Sequence, residues 1–253
     1  MLNAIHQLCS NYPHPDTHYY KTPLAIHNLV NNMAKKHLNK ELYVTCLSDP
    51  FNMVPAASDY SVFVPAVSYI DTEGLDPNAD DETLIQQFLD KIKEIPFYKK
   101  TKKSSFPKFL QALLIRMCIE YAKDTENAAR GLEFTLLHEL GHVFHHHSKN
   151  HAKLNQKYEN GSSKYLNNIS LGLLKKIEEI KQSKKHETEA DEFAMKTNSR
   201  GAIHLFTFLT EFSKQQRKLK KGRILQSLAC RVLFSPKGNN RSFYLSHPSE
   251  ILR

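Results

Sequence analysis

The sequence predicts an α+β fold, mainly α-helical with a small β-sheet, in a single domain. Three observations lead there. Apolar residues recur at helical spacing through most of the chain from Leu24 onward. Strand-like runs are confined to two short stretches, Leu42–Leu47 and Ser61–Ile70. The 253 residues are 40% hydrophobic and 24% charged, an ordinary balance for a globular chain long enough to bury a sizeable core.

Taken in order, residues 1–20 read as irregular, with Pro13 and Pro15 among polar neighbours. Pro23 then opens a helix running to Leu38, because proline suits a helical first turn. Asp49-Pro50 ends the first strand, and Pro65 makes the second an edge strand or splits it. An acidic connector, 71–81, precedes a helix over Thr83–Ile95, a basic loop over 96–107 and an apolar helix over Lys108–Lys123. Asp124-Thr125 caps the next helix, with Glu126 favourable in its first turn. Leu154–Asn168 is polar and turns at Asn160-Gly161, after which Leu166–Ile180, Ala202–Phe212 and Arg223–Phe234 read as helices. His27 and His37 read as surface or packing histidines, and His204 as a core histidine.

Composition narrows the classes. The four cysteines stand singly, without a C-x-x-C pair, which argues against a disulfide scaffold or a thiolate metal site and for a reducing compartment. No signal peptide is seen, and the most apolar windows, Phe109–Ile119 and Ala202–Phe212, fall short of the roughly 20 residues that span a bilayer. A cytoplasmic or otherwise soluble intracellular protein is therefore expected. The net charge of +9 gathers in Lys99–Lys103, Lys175–Lys185 and Lys214–Arg223. These read first as solvated faces and second as contacts to an anionic membrane surface; no specific nucleic-acid motif accompanies them.

The chemistry concentrates in Leu132–Ser148. His138 and His142 stand four apart, so on a helix their imidazoles share one face and can grip one Zn²⁺. Glu139 completes H-E-x-x-H, the pattern in which the glutamate is general base to a metal-activated water. A catalytic zinc needs a third protein ligand. The H-E-x-x-H-x-x-G-x-x-H continuation fails, with His145 and Ser148 at the decisive positions. Glu187 lies beyond residues 143–186, 44 in all, enough to form another helix and return. Asp191 follows one turn later on the same face, where it can bond a ligand imidazole and set its tautomer. Glu189 and Glu192 fall on other faces and read as solvated. His145, His146 and His147 raise the idea of a second metal, but one regular helix cannot aim all three inward, so they read as solvated or supporting histidines.

H-E-L-G-H followed by E-x-E-A-D-x-F-A resembles the HtpX and CAAX-prenyl-protease group of zinc endopeptidases, which includes Oma-type and BepA-type members. His147-Ser148 after the zinc helix, Asn52 ahead of the strand at Val62–Val64, and the terminal H-P-x-x-x-x-R from His247 to Arg253 are further points of similarity. The resemblance implies a zincin-like domain over 1–253. Its parts would be an N-terminal helical segment (1–41), an edge-strand region (42–70), a helical insertion or lid (71–125) and the catalytic helices with the C-terminal segment (126–253). It implies one Zn²⁺ on His138, His142 and Glu187, Glu139 as base, and Asp191 as orienter. Asn52, Val62 and Val64 would bind a protein or peptide substrate, and His247 and Arg253 would stabilise the oxyanion or form a terminal clasp. Family members often carry membrane spans or an export signal, whereas neither is seen here, and Met53 replaces the usual alanine after Asn52. The ImmA/IrrE kind of regulatory metallopeptidase also pairs H-E-x-x-H with a later E-x-x-A-N, but Asp191 occupies its asparagine position. A metal-stabilised binding module is the alternative from another class; it would have no use for Glu139.

Overall fold

A computed structural model describes residues 1–13, 24–47, 49–95, 106–160 and 168–218. Seven helices and three short strands occupy these stretches: α1 (Leu2–Cys9), α2 (Leu24–Leu38), β1 (Tyr43–Cys46), β2 (Ala56–Ala57), β3 (Ser61–Val64), α3 (Asp81–Lys93), α4 (Lys108–Ala122), α5 (Thr125–Phe144), α6 (His147–Asn160) and α7 (Asn168–Lys218). The mainly helical α+β expectation agrees with this. The expected helix over Arg223–Phe234, the loop cluster Lys99–Lys103 and the terminal His247 and Arg253 lie outside the described residues.

The amino terminus departs from expectation. Residues 2–9 form a helix because Ala4, Ile5 and Leu8 share one face, and all three are buried, packed with α2 and α5. Asn11 and Tyr12 continue the turn with bonds to the carbonyls of Leu8 and Cys9.

The sheet has the order β1-β3-β2, with β1 parallel and β2 antiparallel to β3. The strand bearing Val62 and Val64 is therefore central, not an edge, and both valines are buried. Pro65 did not force that strand outward because it lies just past Val64, beyond the ladder. It instead precedes a 3-10 turn over Ala66–Tyr69. The expectation that Val62 and Val64 present an edge to an extended peptide is corrected, since β3 lies between β1 and β2 and both valine side chains are buried.

Residues 71–125 supply α3 and α4, which pack on each other, and α4 packs on α5. Leu84, Phe88, Leu110 and Ile115 are fully or almost fully buried and join the same core as Leu136, Leu137 and Leu140 of α5. Asp80 caps α3 through the backbone N–H groups of Glu82 and Thr83, each at 3.0 Å. Arg116 on α4 reaches across to donate to Asp81 and to the carbonyls of Pro77 and Ala79.

The dominant packing is α5 against α7. The long run of α7 is broken at Asn198, whose backbone (φ −143°, ψ 67°) is non-helical. Its side chain makes the break tolerable: Oδ1 accepts from Gly201 N at 2.8 Å, capping the second half, while Nδ2 donates to Arg130 O and Glu133 Oε2. The segments expected as separate helices, Leu166–Ile180 and Ala202–Phe212, accordingly fall in two helices that meet at Asn198, the first described from Asn168 onward. No helix among the described residues is long and apolar enough to cross a membrane.

Candidate metal centre

Helix α5 is started by Asp124, whose carboxylate accepts from Asn127 N at 3.1 Å. Buried leucines at 132, 136, 137 and 140 hold it in the core and bring His138 and His142 to the face that meets α7. Gly141 makes the close approach possible. A Cβ there would lie 2.8 Å from Ala190 Cα and 3.1 Å from Ala190 O, so the glycine of H-E-L-G-H and the alanine of E-A-D form one contact between backbones.

That contact brings the two motifs together. His138 Nε2 lies 3.0 Å from His142 Nε2 and 3.2 Å from Glu187 Oε2, and His142 Nε2 lies 3.7 Å from Glu187 Oε1. Ligand atoms bound tetrahedrally at about 2.0–2.1 Å stand about 3.3 Å apart. The observed separations bracket this value, and the three residues could hold one metal ion. Two imidazoles and a carboxylate suit a divalent transition ion better than Mg²⁺ or Ca²⁺.

Each ligand imidazole is held from behind. His138 Nδ1 is 2.8 Å from Asp191 Oδ1, so Nδ1–H donates to the carboxylate and the Nε2 lone pair faces the centre. His142 Nδ1 is 2.7 Å from His147 Nδ1, and His147 Nε2 is 3.1 Å from Glu189 Oε2. With His142 Nε2 turned to the metal, His142 Nδ1–H donates to His147, and His147 Nε2–H donates to Glu189. His147 is also sandwiched on His186, ring centroids 3.9 Å apart and 10° from parallel.

The charges are strongly displaced. Burial opposes a charged His138, but bonds to Asp191 and Glu187 outweigh it and push the imidazole up to about 10. Burial, reinforced by charge on His138, pushes His142 down to about 3. Glu139 is buried beside them, and burial raises its carboxyl to about 7, with Glu187 adding to the effect and His138 opposing it. A transition cation would supply the positive charge that this pair of carboxylates otherwise draws onto His138.

Several sequence expectations change. Glu189 is not merely solvated; it accepts from His147. Glu192 is exposed. His147 is 5% exposed, and its position follows from a chain reversal: α5 ends at Phe144, His146 takes a positive φ of 54°, and α6 begins at His147. The objection that one helix cannot aim neighbouring histidines inward therefore does not apply, because the helix stops between them. Nothing in the periodicity signalled that break; the His at the fifth position after His142 was visible only as part of the resemblance. His146 Nδ1 sits 3.5 Å from Asp59 Oδ1 of the β2–β3 turn, without a hydrogen bond between them. Asn52 closes a local turn, its Oδ1 accepting from Val54 N at 3.2 Å.

No family model, no curated protein and no solved structure matches the chain.

Proposed function

We propose that the chain is a zinc-dependent endopeptidase whose ion is held by His138, His142 and Glu187. The observation that carries the reading is the convergence of these three ligand atoms beside a buried glutamate, Glu139, that none of the ligand contacts uses. A structural metal site needs no such base, whereas hydrolysis does. Zinc bound there would polarise a peptide carbonyl and lower the pKa of a water to about 7. Glu139 would take the proton from that water and return it to the departing amine. Asp191 and His147 would keep the two imidazoles in the tautomers that leave Nε2 free. By the resemblance, His247 and Arg253 would stabilise the oxyanion.

Glu139→Gln tests this reading. The variant should keep one equivalent of zinc, measured by elemental analysis, and lose peptidase activity on casein or a peptide library by about 10²-fold or more. Equal activity in both proteins, or none in either, would favour the non-catalytic binding module.

A further inference from the structure

A second group of potential ligands lies behind the first. His145, His147 and Glu189 each offer one ligand atom, all within 4.8 Å of one another. The His145 and His147 rings are nearly parallel, 11° apart with centroids at 5.4 Å, because the left-handed backbone at His146 turns both to the same side. Glu189 Oε2 already stands 3.1 Å from His147 Nε2. Its other oxygen lies 3.6 Å from Lys185 Nζ, an exposed cation that a bound ion would displace. Two imidazoles and a carboxylate again favour Zn²⁺, Co²⁺, Ni²⁺ or Cu²⁺.

We propose that His145, His147 and Glu189 form a second transition-metal site whose occupancy opposes that of the His138–His142–Glu187 site through the single hydrogen between His142 Nδ1 and His147 Nδ1. This rests on the first site binding metal as proposed above.

The argument is a count of hydrogens. At 2.7 Å the two Nδ1 atoms share one hydrogen. A metal on His142 Nε2 requires that hydrogen on His142 Nδ1, leaving His147 Nδ1 as acceptor and His147 Nε2 carrying its own hydrogen. That hydrogen occupies the lone pair the second site needs. A metal on His147 Nε2 requires the reverse arrangement, with His147 Nδ1–H donating and His142 Nε2 protonated. Filling both sites with neutral imidazoles puts two hydrogens between atoms that have room for one. The bond must then break, or one ring must give up its last hydrogen. Loss of such an outer bond weakens metal binding by about 10–100-fold.

The test uses the full chain, stripped of metal and titrated with Zn²⁺ against a competing chelator, with Co²⁺ absorption as a second readout. Wild type should take one ion tightly and a second about 10–100-fold more weakly than His142→Ala takes its single ion. His145→Ala should keep the tight ion and lose the weak one, and His142→Ala/His145→Ala should bind none. Two ions bound by wild type with the second as tight as in His142→Ala would overturn the opposition. Failure of folded His142→Ala to bind any ion, or retention of the weak ion by His145→Ala, would overturn the second site. A tight ion that survives in Glu187→Ala/His145→Ala, which lacks a ligand of each site, would instead refute the first site.

Discussion

His138 and His142 offer equivalent Nε2 atoms to a metal but are supported differently. His138 leans on a carboxylate directly, through Asp191 at 2.8 Å. His142 reaches its carboxylate only through His147, as a chain His142–His147–Glu189. A direct carboxylate partner raises the basicity of its imidazole more than a neutral intermediary does. Asp191→Ala should therefore weaken zinc binding by about 10–100-fold in chelator competition, and Asp191→Asn less, because its carboxamide oxygen still accepts from Nδ1–H. Glu187 was anticipated from the need for a third ligand on a later helix, and Asp191 from its spacing of four on the same helical face. Glu189 and His147 were not, because their contact depends on where α5 stops and how His146 turns the chain.

The elements meet through small residues. Gly141 faces Ala190, and Gly201 faces the carbonyl of Arg130, where an added Cβ would stand 2.2 Å from the oxygen. Gly141→Ala would improve helix propensity by about 1 kcal/mol. The Cβ would collide with Ala190 backbone, which cannot rotate away, and overpacking of this kind costs about 1–3 kcal/mol. The expected outcome is a lower melting temperature together with weaker zinc binding, since α7 carries Glu187 away as it shifts. In sequence, that glycine looked like part of a motif; its reason is the separation of two helices.

At the start of α5, Asp124→Ala should cost about 1 kcal/mol by denaturant unfolding. The Asp124 carboxyl is held below its ordinary range, first by the backbone N–H of Asn127 and then by that residue's side chain. A depressed carboxyl stabilises the folded chain above its unfolded pKa and loses that contribution as pH falls through the folded value. Wild type and variant should accordingly converge in stability below about pH 4.

Over the described residues as a whole, the helical patterning anticipated most of the architecture. Helices α2 to α5 begin and end within a few residues of their apolar periodicity. What escaped were short pieces and the polar helix α6, whose 14 residues carry little apolar periodicity. Helix α1 is only eight residues and β2 only two; the two halves of α7 meet at Asn198, where bonds to α5 satisfy the break. The same network draws in the amino terminus, with Tyr12 donating to Glu133 at 2.9 Å. The α5–α7 pairing that assembles the candidate metal centre is thus fastened within the site by Gly141 against Ala190 and beyond it by Asn198 against α5.

The central claim is the ligand set, and anomalous diffraction at the zinc edge from crystals of the zinc-loaded chain tests it most directly. The expected peak lies about 2.0–2.1 Å from His138 Nε2 and His142 Nε2 and about 2.0–2.2 Å from a Glu187 oxygen. A principal peak away from these three residues would contradict it.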